Sequence, residues 1–310
     1  MKNKFIKNIT LLSAGLLLST GCTKDFVERN TNPASYNQTN FDPNYVLTSA
    51  ELAYTGSTDF SYETWRSNLI YCSTFMQGFS TVIGYWGGDK YLLNEGYTAS
   101  YWERSYSEQV KPIVDIVEST KGVAKHKNLN NIARILKALI FERLTDIYGD
   151  VPYSEAGQGY YQKIFFPKYD KQQAIYMDLL KEVTEATDAL DAGGDKPAGD
   201  VIYKGDISKW KKFGNTLILR IAMRLSKVDE ATAKSYVNQV VGKTLTADDD
   251  AFLVADATGG RTTINRNSQV LLGDGGQENF YVKWSDTFIN NLKTNNDPRL
   301  TVLACTNLYA

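Results

Sequence analysis

The sequence predicts a mainly α protein of stacked helical hairpins, followed by a shorter, loop-rich second part. Three observations carry this expectation. Through most of the span from Phe41 to Leu245, apolar residues recur at steps of three and four, the spacing of an amphipathic helix. The segments with this spacing are joined by short turns, so each apolar face is buried only by stacking on a neighbour, as in solenoids of paired helices, although no fixed repeat period is visible. After Leu245 the period stops, and ADDDAFLVADATGGRTTINRNSQVLLGDGG brings Gly, Asp, Asn and Thr with short extended runs.

The chain opens with a targeting segment over residues 1–21. Lys2, Lys4 and Lys7 form a positive region, and Ile9 to Leu18 form an apolar run too short to span a bilayer as a stable helix. Leu18-Ser19-Thr20-Gly21-Cys22 resembles a lipobox, which makes Cys22 the expected site of lipidation and membrane anchoring; the alternative is an ordinary secretory signal with an incidental cysteine. Without residues 1–21 the chain loses three of its 34 basic side chains and none of its 35 acidic ones, leaving 31 against 35. Residues 22–40 have no apolar period and are rich in Asn, Thr and Ser, the composition of a tether.

Helices are expected over about 43–54, 61–80, 99–121, 128–148, 170–191, 206–227, 230–241 and 283–293. Asp42-Pro43 starts the first, and Asp206 caps the sixth. The clearest lies in NLNNIARILKALIFERLTDIYGDVPYSEA, from Asn128 to Ala156. There Ile132, Leu136, Leu139, Ile140, Leu144, Ile147 and Tyr148 form one stripe that Ile135, Ala138 and Phe141 widen, so this helix is covered on two sides. Gly149 is expected to end it as a left-handed cap, with Pro152 preventing its continuation. Ile175, Leu179, Val183, Ala186 and Leu190 give a second stripe; Trp210, Phe213, Leu217, Ile221, Leu225 and Val228 give a third.

Function is expected in the loops. TVIGYWGGDKYLLNEGYTAS, Thr81 to Ser100, mounts Tyr85, Trp86, Tyr91 and Tyr97 among glycines. These rings form either a stacking platform, with Asp89 and Asn94 as hydrogen-bonding neighbours for sugar hydroxyls, or a contact for a peptide or a partner protein. The opposing reading is a plug in which Trp86 packs back on the helices. A second aromatic loop spans Gly157 to Asp170.

Several classes are disfavoured. The near-balanced charge offers no surplus to neutralise a phosphate backbone, so nucleic acid is not an expected partner. One histidine, His126, sits in a polar run, which removes most histidine-dependent nucleophilic and zinc schemes, and no spacing singles out a carboxylate pair for glycosidase work. Asp248-Asp249-Asp250 lacks the alternating oxygen ligands and turn glycine of an EF-hand and reads as a solvated turn. Cys72 and Cys305 are too far apart in sequence to signal a disulfide framework. No enzyme activity, cofactor or metal is expected.

Three stretches go beyond what helical spacing requires. LTDIYGDVPYSEA resembles a hallmark of the SusD/RagB family of surface nutrient-binding lipoproteins, GDISKWKKFGNTLILRIAMRLSKVD (Gly205 to Asp229) is similar to another of its stretches, and NNDPRL (Asn295 to Leu300) to a short motif. The resemblance implies a tetratricopeptide-like helical core over 41–245 and the start of a loop-rich second subdomain over 246–310. That subdomain looks shortened, since such proteins continue well past NDPRL. It also implies a lipid-anchored protein of the outer membrane, facing the cell surface. Such a protein binds oligosaccharides and passes them to a partner SusC-like TonB-dependent transporter. A structural lid on that transporter, or a peptide-binding protein, is the alternative.

Overall fold

In the computed structural model the described residues are 41–56, 61–251, 264–272 and 278–304. The targeting segment, Cys22, the tether and Cys305 lie outside them. Helix α1 spans Pro43–Thr55, and α2, Ser61–Trp65, runs on as a π-helical segment, Arg66–Ser73. Strand β1 is Phe79–Thr81. Helix α3, Glu95–Ser105, passes through a second π segment, Tyr106–Val110, into α4, Lys111–Thr120. Then follow α5, Lys127–Tyr148; β2, Val151–Pro152; the short α6, Gly159–Gln162; β3, Tyr169–Asp170; α7, Gln172–Ala189; α8, Ile207–Arg224; and α9, Glu230–Val240. The chain continues as α10, Arg266–Leu272; α11, Glu278–Tyr281; β4, Val282–Trp284; α12, Asp286–Thr294; and α13, Leu300–Leu303.

Helices α1, α4, α5, α7, α8 and α9 pack each on the next, a stack of helical hairpins in the tetratricopeptide-like manner. In α5, Ile132, Ile135, Leu136, Ala138, Ile140, Phe141 and Leu144 are all buried, so its apolar stripe does face two neighbours, α4 and α7. Ile175, Leu179, Val183, Ala186 and Leu190 are buried as their spacing demands; in the third stripe Val228 is instead 80% exposed, because α8 ends at Arg224 before the stripe does.

Burying a helix on two sides forces its polar groups to find partners. Asn128, fully buried, donates through Nδ2 to the carbonyls of Asp191 and Asp195 (2.7 Å each) and accepts the Asp191 N–H. The Asp195 carboxylate accepts the N–H groups of Asn128 and Leu129 (2.7 and 3.1 Å), so a residue from the α7–α8 loop neutralises the α5 N-terminus. Asp206 caps α8, accepting from Ser208 and Lys209.

Three expected boundaries move, besides the early end of α8. The helix expected over 283–293 begins at Asp286, because Val282–Trp284 form strand β4. The helix expected over 61–80 stops short: Gln77 takes φ +60°, the chain reverses at Gly78, and β1 pairs antiparallel with β4, Phe79 against Trp284 and Thr81 against Val282. The helix expected from 99 starts at Glu95. Gly149 has the positive φ (+76°) of a helix stop, but its ψ of −121° lies outside the left-handed cap expected there and suits glycine alone.

After Gly149 the LTDIYGDVPYSEA stretch is stapled to α7. Asp150 accepts the Gln172 N–H (2.9 Å) and the Lys171 ammonium, Tyr153 donates to Asp178 (2.7 Å) with its ring edge-on to Phe141, and the Ser154 N–H donates to Asp170 (2.7 Å). A second, smaller core joins the two ends of the compact unit that begins at Pro43: Trp65, Leu69, Ile70 and Trp86 pack with Val270 and Val282.

The α7–α8 loop folds around Asp200, whose carboxylate accepts from the N–H groups of Ile202, Tyr203 and Gly205 and from the Trp210 indole (2.6 Å). The loop seats on α1 through Thr48 Oγ1 to the Gly199 carbonyl (2.6 Å) and the Val201 N–H to Glu51 (2.8 Å); a Cβ on Gly199 would lie 1.9 Å from the Asn44 carbonyl. Burial first, and then the Asp200 carboxylate beside it, push the Glu51 carboxyl up to about 9.

Two predictions follow from this packing. Leu136→Ala or Leu144→Ala, each emptying a buried site in α5, costs about 2–5 kcal/mol, read by denaturant melts; unchanged melts would place the core elsewhere. For Glu51, the folded state holds its proton more tightly than the unfolded state does. The stability this contributes is therefore complete below about 4.5, falls as pH rises across the interval, and is gone above about 9. Urea melts of Glu51→Gln at pH 5 and pH 8 are expected to differ less than those of the parent; equal pH dependence in both would refute this assignment.

Candidate functional site

The Thr81–Ser100 loop is a braced turn. Trp86 is fully buried in a cluster with Trp65, Leu69 and Ile70, because Gly88 lets the backbone touch the first π segment: a Cβ on Gly88 would lie 2.5 Å from the Ile70 carbonyl. The Lys90 ammonium donates to the carbonyls of Thr81 and Trp86 (2.9 Å each) and pairs with Asp89, whose other oxygen accepts the Thr81 N–H (3.0 Å). Asn94 is the N-cap of α3, accepting from the Tyr97 N–H (3.1 Å), and its own N–H donates to the Tyr71 hydroxyl (2.8 Å).

Of the two expectations for Trp86, the structure bears out the plug. The Trp86 ring has no face open to a ligand, and the side chains of Asp89 and Asn94 already serve the loop itself. Tyr85 (42% exposed) and Tyr91 (62% exposed) do present their rings to solvent, Tyr85 edge-on to Trp65 and Tyr91 edge-on to Phe75 at 5.0 Å. Tyr97 is half-buried under the Arg66 guanidinium, 4.9 Å from its ring.

Beside this loop lies a furrow in two parts. The larger, a cleft of about 1340 Å³, runs between the first π segment and the C-terminal halves of α5 and α8. The smaller, a groove of about 550 Å³, contains Tyr71, Tyr97, Trp102 and Tyr148, and Tyr71, Cys72 and Ile147 are walls of both. Tyr71, Tyr97 and Trp102 offer flat apolar faces with polar edges, which suits the ring face of a sugar. Trp102 is held on three sides, edge-on to Tyr148 (5.2 Å), tilted on Tyr106 (5.0 Å) and stacked with Tyr169 (6.0 Å, 16° between planes).

Charge in the larger cleft is organised from beneath. The fully buried Glu142 pairs with Arg220 and Arg224 of α8 (2.9 and 3.4 Å), and Asp146 pairs with Arg224 (2.6 Å) and accepts from the Tyr176 hydroxyl. Burial holds the Glu142 carboxyl above its ordinary range despite both arginines. Asp249, from the acidic triplet, accepts the Lys212 ammonium and the Thr246 N–H; the ammonium and that bond hold its carboxyl down at about 2. Among the described residues no group of three His, Cys, Asp or Glu side chains converges as a metal site requires, and no helix is long and apolar enough to cross a membrane.

A family model described as starch-binding and associating with the outer membrane matches residues 38–309. The chain belongs to the SusD-like family. Among solved structures, this SusD-like chain is similar to a chitin-binding protein at 36% identity, with a TM-score of 0.71 over 84% of this chain and 54% of that one. It is similar to a Bacteroidetes SusD-like protein at 27% identity and a TM-score of 0.67, over 84% and 50% of the two chains. A SusD/RagB family protein from Bacteroides thetaiotaomicron, at 23% identity and a TM-score of 0.63 over 84% and 53%, shares the fold. The chain thus spans about half the length of these structures. No curated protein matches the sequence.

The residues that wall the furrow, Tyr71, Trp102 and Tyr148, were not singled out as site residues by sequence spacing, because helical aromatics read as core. Removal of the buried ring and of an exposed ring in the same loop has opposite consequences for stability. Trp86→Ala is expected to cost about 3–5 kcal/mol as a large-to-small core change, whereas Tyr91→Ala stays within about 0.5 kcal/mol as a surface change. Denaturant melts of both variants check this, and a Trp86→Ala melt like the parent's would contradict the buried placement.

Proposed function

We propose that this SusD-like protein is an outer-membrane lipoprotein anchored through Cys22. It captures an oligosaccharide at the cell surface and delivers it to a partner SusC-like TonB-dependent transporter. It acts as a binding protein, not an enzyme. The observation that carries the reading is the furrow wall of Tyr71, Tyr97 and Trp102, beside the solvent-exposed Tyr91, on rigid helical supports. The description of the family as starch-binding and the chitin-binding protein among the similar structures support a saccharide ligand.

Of the residues expected from sequence, Tyr91, Tyr85 and Tyr97 are retained as ligand contacts. Trp86, Asp89 and Asn94 shape the loop that holds them. One observation favours the second reading, a lid on the transporter: Leu92 and Leu93 of the same loop, and Phe75 and Met76 before it, are more than half exposed, apolar side chains suited to a protein surface.

Calorimetry of the full chain in detergent, against starch-derived and chitin-derived oligosaccharides and a peptide panel, tests the proposal. Saccharide binding that weakens about tenfold in Tyr91→Ala, at an unchanged melt, is expected from the loss of one stacking ring. Binding of peptides alone, or of no ligand by the parent, would defeat it; the latter outcome would turn attention to the lid.

A further inference from the structure

A third hollow, of about 660 Å³, shares Trp102 with the furrow. Trp102 and Tyr106, from α3 and the second π segment, form one side of it, and the loop carrying Tyr160, Phe165 and Pro167 forms the other. That loop is tied down. The Tyr161 hydroxyl donates to the Asp115 carbonyl (3.3 Å), the Lys168 N–H donates to Glu155 (3.0 Å), and across the groove the Tyr106 hydroxyl donates to the Pro152 carbonyl (2.9 Å). Tyr160 and Phe165 nonetheless stay 63% and 71% exposed, so the fold holds apolar rings out in water at fixed positions.

The polar lining is unequal. Glu103 and Asp115 bring two carboxylates against a single ammonium, Lys111, so the groove offers more acceptors than donors. Such a lining suits a ligand with apolar ring faces and many hydroxyl donors. A saccharide has both, whereas a peptide backbone, which presents as many carbonyls as N–H groups, would leave its acceptors unmatched.

The shared ring gives the arrangement a direction. Because Trp102 walls both hollows and is fixed by Tyr106, Tyr148 and Tyr169, a chain lying in the smaller groove of the furrow meets the second groove at the next edge of the same indole. We infer that the groove of Trp102, Tyr106, Tyr160 and Phe165 is a second saccharide subsite, and that one glycan chain runs from the furrow across Trp102 into it. This rests on the oligosaccharide reading proposed above and adds that the ligand is a chain long enough to occupy both hollows.

The test is chain length. Calorimetry of the full chain in detergent compares chitin-derived and starch-derived disaccharides with the corresponding hexasaccharides, for the parent, Tyr160→Ala and Phe165→Ala. Both substitutions remove exposed rings, and melts check that the fold persists. The parent is expected to bind a hexasaccharide at least about tenfold more tightly than the disaccharide, and each variant to lose about that factor for the hexasaccharide alone. Parent affinity independent of length, with both variants unchanged, overturns the second subsite and leaves the proposed function standing. Equal loss for short and long ligands overturns the two-part path in favour of a single site in this groove. No saccharide binding by the parent overturns the proposed function, and this inference with it.

Discussion

Everything in the helical stack depends on α5 being covered on two sides. A helix in that position cannot turn its polar groups to water, so each must be answered by a remote part of the chain. Asp195 reaches back to the α5 N-terminus, Asn128 ties the same loop from the helix side, and Arg220 and Arg224 of α8 cover Glu142. At the far end Asp150 takes the first N–H of α7. These polar ties fix the order of packing as well as the apolar surface does, because an unanswered buried group costs about 1–3 kcal/mol.

The site inherits its rigidity from this arrangement. Its aromatic walls stand on helices and π segments, with Tyr85, Tyr91 and the second groove's rim carried by braced segments between them. Trp102 has three aromatic neighbours, and the backbone N–H of the same residue donates to the Tyr148 hydroxyl (3.0 Å). Rings fixed before a ligand arrives lose little freedom on binding, which favours affinity. Both π segments lie where the rings are presented, and the extra residue of a π turn rotates the following side chains by roughly 100° relative to an unbroken helix.

The buried acid pair shows a different balance. Glu51 and Asp200 fasten α1 to the α7–α8 loop, and the cost of bringing two carboxyl groups together is met by keeping a proton on Glu51 and by giving Asp200 four donors. The helical stack is thus closed by a contact whose strength depends on pH, and which involves no residue of the aromatic furrow.

The sequence by itself determined the long helices of the stack and their order. Spacing of three and four through α5, α7 and α8 has one physical reading, Gly149 ends α5 because only glycine tolerates its backbone angles, and Asp206 caps α8 through a local bond. Family membership was legible in a different way, by resemblance, in the run LTDIYGDVPYSEA, whose polar residues staple one helix to the next. Only the tertiary structure decided which aromatics face water. Periodicity states which residues share a face but not what covers it, so it singles out neither Tyr71 nor Trp102 and leaves Trp86 open between a platform and a plug. The fate of Trp86 turned on Gly88 meeting the Ile70 carbonyl and on Val270 and Val282 closing over the ring, contacts between segments distant in sequence. Local spacing carries no information about such contacts, because they exist only once the chain has packed.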